Sequence, residues 1–208
     1  MKKIGLLLYL CLGVFCFSFA QEVENSLEQM NRKLNESMGL KIQFVWQNDL
    51  EEHEQVGKLL VNKEKFYLQL EALTTWFDGE NQWTLLEGSD EVNLIKPTQE
   101  ELQSINPYLL LAIYKEGYTY RLGGKQSYNG KQITEINLHA KELRKEIQHV
   151  RIYMDKVSFL PLYLEFSTKQ SGRTKVSIQT LELNRQMKAS TFSFDEKKYP
   201  EIEVIDLR

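Results

Sequence analysis

The side chains able to do chemistry are few and scattered. There are three histidines, His53, His139 and His149, and two cysteines, Cys11 and Cys16. No H-E-x-x-H helix, no G-x-S-x-G elbow and no Walker loop is present. His139 and His149 lie where paired strands can bring them face to face. A metal site needs further ligands, and no third one is evident, so a surface or structural role is the better reading. The acidic doublets Glu51-Glu52 and Glu100-Glu101 read as solvated. A hydrolase assembled from residues distant in sequence needs no local motif, so that reading stays open beside the two given below.

Composition narrows the class. The 208 residues carry 26 basic against 29 acidic groups, a net charge of -3. The length suits one domain, or at most two small ones. At 42% hydrophobic and 26% charged, the chain is of ordinary globular composition. No basic block is available to track a phosphate backbone, so nucleic acid is not an expected partner.

Residues 1–20 read as a targeting signal. Lys2 and Lys3 precede an apolar run from Ile4 to Phe17, and Ser18-Phe19-Ala20 supplies a small-x-small site before Gln21. The expected organisation is a cleaved signal over 1–20 and a single domain over 21–208. Loss of Lys2 and Lys3 takes the formal charge from -3 to -5. Both cysteines lie in the signal, without the small-residue context of a lipobox. The mature chain is expected to carry neither lipid anchor nor disulfide, and to hold together by burial alone.

The elements that would position any site are strands, with two apolar segments of helical character. Val23, Leu27, Met30, Leu34 and Met38 recur at helical spacing over residues 22–38, and Gly39 offers a stop. From residue 41 the period becomes two: Ile42, Phe44 and Trp46 alternate with polar residues. Val56–Val61 and Phe66–Leu70 follow as strands. Asp78-Gly79 lies between two strand-like runs carrying Trp76 and Trp83, a strong hairpin signal. Val92–Ile95 makes a third strand. This succession without intervening helices predicts an antiparallel sheet. Asn106-Pro107 then opens a second helix, through Tyr108 to Tyr114, which is apolar nearly all round. Strands resume after Gly117. Leu160, Leu162, Leu164 and Phe166 are expected on one face, with Pro161 forcing an edge or a bulge.

The chain resembles the outer-membrane lipoprotein carrier (LolA) family of the bacterial periplasm. The resemblance rests on a signal and an amphipathic helix running into Ile42-Gln43-Phe44, then on Gly57-Lys58-Leu59-Leu60-Val61 leading to Phe66. It continues in Phe77-Asp78-Gly79-Glu80-Asn81-Gln82-Trp83, Pro107-Tyr108-Leu109-Leu110, and Phe192-Ser193-Phe194 before Val204. One departure is plain. The family carries Arg-Pro after the second strand, with the Arg helping to hold a lid; here the nearest positions are Lys63 and Glu64. Lys offers a point charge rather than a planar fork.

The resemblance implies an unclosed antiparallel β-barrel of about eleven strands under a helical lid, without catalytic residues, metal or cofactor. Phe66 and Leu68 are expected to face a lipid cavity, joined in the lining by Trp46, Leu70, Trp83, Leu85, Ile152, Leu162 and Leu164. The expected lid residues are Leu27, Met30, Leu34, Leu109, Leu110 and Ile113, with Lys63 as a candidate latch. The implied function is a monomeric periplasmic carrier of acylated lipoproteins. It would take them from an inner-membrane ABC transporter to the outer membrane, where a receptor would be a further partner. The alternative is a protein of the same fold that carries another lipid or a glycolipid.

Overall fold

A computed structural model describes residues 21–208, apart from 51–52, 100, 103–105, 107, 112, 116, 169–171 and the side chain of Leu110. The expected signal, both cysteines, Glu51-Glu52, Glu100 and Pro107 lie outside the described residues.

Helix α1 occupies residues 21–35. The strands are β1 Leu40–Asn48, β2 Gln55–Asn62, β3 Lys65–Gln69, β4 Leu73–Phe77, β5 Gln82–Leu86 and β6 Glu91–Ile95. Then come β7 Tyr118–Leu122, β8 Ser127–Tyr128, β9 Lys131–Ala140, β10 Ile147–Asp155, β11 Pro161–Thr168, β12 Gly172–Glu182 and β13 Glu203–Asp206. They form one sheet in the order β13-β6-β5-β4-β3-β2-β1-β12-β11-β10-β9-β7, with β8 paired to β9. The strands number 13 rather than about eleven; β8 has 2 residues and β13 has 4. β13 and β7 end the order, so the sheet is not closed. All pairings are antiparallel except β13 with β6.

Alternation sets one face of the sheet inward. Ile42, Leu59 and Leu68 stand in register across β1, β2 and β3. Ile136, Ile152, Leu164, Val176 and Trp46 do the same across β9, β10, β11, β12 and β1. This face packs beneath the α1 stripe, where Val23, Leu27, Met30 and Leu34 are all buried. The stripe ends there. The helix stops at residue 35, and Met38, expected on the same face, is exposed. Gly39 does not act as a left-handed stop either. A Cβ there would lie 2.3 Å from the Arg185 carbonyl oxygen, so the position serves close backbone approach.

The second expected helix is instead a pair of 3-10 turns, Leu109–Leu111 and Ile113–Lys115. Asn106 does take the capping role: its side-chain oxygen accepts from the Tyr108 amide at 3.0 Å. So short a segment, cut off by Gly117 at φ 79, has too few turns to repay an α-helical nucleus. At 98–101, Thr98 and Glu101 bond reciprocally as a capping box, which starts a helical turn.

The outer face is covered locally. Trp76 packs edge-on against Phe194 and Tyr199, with ring centroids 5.5 and 6.0 Å away. The chain after β12 thus crosses the outer side of β3–β6 and delivers β13 to the free edge of β6, which is why that pair is parallel. At β11, Tyr153 opposes Tyr163 while Met154 opposes Pro161, so Leu162 is the extra residue of a bulge. β11 lies between β10 and β12, so bulging, not an edge, accommodates the proline.

Gly57 shows how tightly the inner face is packed. The Phe44 ring lies over it, and a Cβ would meet ring atoms at 2.3 Å. Gly57→Ala is therefore expected to lower stability by about 1–3 kcal/mol, the usual cost of overpacking, read as a reduced urea midpoint. An unchanged midpoint would mean the ring is free to move away.

Candidate functional site

Between α1, the first 3-10 turn and the sheet lies a small void. Its wall is Leu34, Ile42, Phe44, Leu59, Tyr108, Leu111, Pro161, Leu164, Val176, Ile178 and Leu181, and its free volume is about 10 Å³. A single water needs roughly 10–15 Å³. At this pocket there is thus no room for a ligand, with Leu34 of the helix packed onto the sheet.

The expected lining divides between the two faces. Phe66, Leu68, Ile152 and Leu164 are buried on the inner face, and Trp46 and Leu70 pack half-buried against the same cluster. Only Leu164 among them borders the void. Phe66 is 1% exposed with its ring 5.4 Å from Phe77, so in this closed state it sits in packed core. Trp83 and Leu85 are on the outer face. Trp83 pairs with Trp76, which pairs with Tyr67, the neighbour of Phe66 pointing the other way. Leu85 pairs with Val92 on that same outer side. Leu162 is also outside, turned by the bulge onto Tyr153 and Tyr163.

The expected lid residues lie on α1 and on the two 3-10 turns. Leu27, Met30, Leu34 and Ile113 are buried and Leu109 is half-buried; the Leu110 side chain lies outside the described residues. Lys63 is not a latch in this state. It is an exposed residue of the β2–β3 turn at φ 55, and the cleft it borders is shared with Asp78, Gly79, Met187 and Phe192 rather than with α1. Lys33 holds the helix instead. Its Nζ donates to the Ser158 carbonyl oxygen at 2.7 Å and lies 5.6 Å from the Phe159 ring centroid. On the other side the Tyr108 hydroxyl donates to Asn35 Oδ1 at 3.1 Å. Sequence reasoning missed these partners because Lys33 is one of several charged residues off the apolar stripe. The void walls at Ile42 and Phe44 were legible as strand alternation, without any sign that they meet the helix end.

The histidine pair is real. His139 and His149 oppose each other on β9 and β10, with Nδ1 atoms 2.8 Å apart, within hydrogen-bond distance. Among the described residues no group of three His, Cys, Asp or Glu is placed to hold a metal.

Residues 54–170, more than half of the chain, match the family described as outer membrane lipoprotein carrier protein LolA. The chain belongs to this family. None of the curated proteins matches it in sequence. Among solved structures, an uncharacterized conserved protein from Thermus thermophilus superposes with a TM-score of 0.60 at 10% identity, over 89% of this chain and 99% of that one. It shares the fold. A putative outer membrane lipoprotein-sorting protein domain from Vibrio parahaemolyticus gives 0.47 at 11% identity, over 85% and 98% of the two chains. A LolA superfamily protein from Nitrosomonas europaea gives 0.40 at 12%, over 85% and 98%. LolA superfamily membership points to a periplasmic protein that binds lipid or lipoprotein, in a fold generally used for carriage rather than catalysis.

Burial, then His149 and Arg121, hold the His139 pKa below the ordinary 6.5. As pH falls through that ordinary value the unfolded chain takes the proton first, so stability declines until the folded His139 is also protonated. His139→Gln should therefore lose less stability than the unaltered protein between pH 7 and 5, as measured by urea midpoints. Identical losses would remove the pair as a source of pH dependence.

Proposed function

We propose that this protein is a periplasmic carrier of acylated lipoproteins, taking up their acyl chains beneath α1. It receives them from an inner-membrane ABC transporter and delivers them to the outer membrane. The observation that carries this reading is the separateness of the lid: an amphipathic helix, not a closed sheet, covers the apolar inner face. It is tied down by a few polar contacts.

The magnitudes suit reversible uptake. Four buried side chains, Val23, Leu27, Met30 and Leu34, seat the helix. At about 1.5–3 kcal/mol each they contribute roughly 6–12 kcal/mol. A sixteen-carbon acyl chain has about 0.8 kcal/mol per CH₂, or roughly 12 kcal/mol, holding it in a bilayer. Lid and ligand thus compete for one surface on nearly equal terms. Extraction from the bilayer needs work done elsewhere, as an ABC transporter supplies. Release needs only that the helix return.

Competition has a signature that simple packing lacks. Leu27→Ala is expected to destabilise the empty protein by about 2–5 kcal/mol, yet to tighten binding of a fluorescent fatty-acyl probe. Trp46, 5.9 Å from Phe166 on the inner face, should report the probe, whereas Trp76 and Trp83 on the outer face should not. Equal or weaker probe binding by the variant would refute the competition. Native mass spectrometry of protein from the periplasm identifies the cargo: a lipoprotein mass supports the reading, and a free lipid or glycolipid mass replaces it with the alternative.

A further inference from the structure

Among the described residues, two buried polar groups interrupt the inner face of the sheet, and they differ in one respect. Asn48 and Thr174 stand opposite each other on β1 and β12. Asn48 Nδ2 donates to Thr174 Oγ1 at 2.9 Å, and its Oδ1 accepts from the Leu50 amide at 2.8 Å, so both ends of that side chain are used. The second group is on β4 and β5, where Thr75 is 1% exposed and Gln82 3%. The Thr75 and Thr84 hydroxyl oxygens are 3.4 Å apart, and Gln82 Nε2 donates to Thr84 Oγ1 at 3.2 Å. Gln82 Oε1 is buried and accepts no hydrogen bond among the described residues. A buried acceptor without a donor is the exception in folded proteins and calls for a reason.

Its place in the sheet says what kind of donor fits. Ile42, Leu59, Leu68, Thr75, Thr84 and Asn93 form one cross-strand row over β1 to β6. The first three are buried and apolar, Thr75 is buried and polar, Thr84 is half-buried, and Asn93 is exposed. Gln82 is two residues from Thr84 along β5 and so shares its face. Gln82 pairs with Phe77, which pairs with Phe66 in the core. Adjacent strands are about 4.8 Å apart, so Thr84 lies about 14 Å across the sheet from Leu59, which borders the void. An amphiphile laid along this row puts its chain over the leucines and its first polar group at Thr75, Thr84 and Gln82. Whatever follows passes over Asn93 to solvent.

We propose that Gln82 Oε1 accepts a hydrogen bond from the N–H of an acyl amide, the link that joins a fatty chain to a terminal amine. Thr84 is the positioning residue, since its bond to Nε2 fixes which way the side-chain amide is turned. An ester-linked chain has no N–H and leaves the oxygen unsatisfied, so the site favours amide-linked chains over ester-linked ones. The oxygen is shut in this state, as Leu59 and Leu68 are, and is reached only when the inner face is uncovered. The proposal therefore rests on the carrier reading, and deepens it by naming the group next to the acyl chain.

Calorimetric titration of the 21–208 chain with N-hexadecanoylglycine and with hexadecanoyloxyacetic acid tests this, because the two ligands differ only in N–H against O. The unaltered protein should bind the amide about fivefold more tightly, the worth of one neutral hydrogen bond. Gln82→Met keeps the side-chain length and removes the acceptor. It should bind the two ligands equally, with its affinity for the ester unchanged. Thr84→Val, which frees the Gln82 amide to turn, should shrink the preference, and this holds whether or not Gln82→Met folds. Equal affinity of the unaltered protein for the two ligands, or a preference that Gln82→Met retains, overturns the proposal. Where both ligands bind equally, the carrier reading stands and the amide site falls. Where neither binds, the carrier reading falls and the site falls with it.

Discussion

One apolar sheet face has to be covered, and the sheet cannot cover it by itself. Its end strands β13 and β7 do not pair, so closure into a filled barrel is not available. Something else must exclude water from Ile42, Phe44, Leu59, Leu68, Leu164 and Val176. In the closed state that something is the α1 stripe. The proposed carriage follows from the substitution: on that reading an acyl chain and a helix with four apolar side chains satisfy the same surface with similar free energies, and the protein alternates between them without unfolding.

Polar contacts at the lid's margins set the bias. The charged hydrogen bond from Lys33 to the Ser158 carbonyl is in the class worth about 1.5–3 kcal/mol, and the bond between Tyr108 and Asn35 in the class worth about 0.5–1.5 kcal/mol. These are small beside the apolar terms, but in the proposed near-balanced exchange such amounts decide which state is populated. The family's arginine latch is missing at the β2–β3 turn, and Lys63 there does not replace it in this state. The holding contacts come from the helix itself.

Much of this was legible in the chain. The 4-3-4 spacing of Val23, Leu27, Met30 and Leu34 gave the lid, and alternation in β1 to β3 gave the inner face. Where reading failed, a local event changed the direction of a side chain. The bulge at Leu162 reversed an alternation that looked unbroken. The expectation for Trp83 rests on its place just after the Asp78-Gly79 turn, on a strand near Phe66 and Leu68, but cross-strand register ties it to Trp76, and so to the outer side. The strap carrying Phe194 and Tyr199 that covers those tryptophans is formed by residues more than a hundred positions away, which periodicity cannot reveal. The Tyr108–Tyr114 segment has helical composition, but it is too short and too confined to repay an α-helical nucleus.

The central claim is that ligand replaces the helix on the inner face rather than adding to a cavity already open. Amide hydrogen exchange over residues 21–35 and over β1, β2 and β11, with and without a long-chain acyl ligand, tests this most directly. The account expects ligand to speed exchange in α1 and to slow it, or leave it unchanged, in the strands beneath. Slower exchange in α1 together with the strands would mean that the helix stays seated and that the ligand binds elsewhere, which would contradict the account.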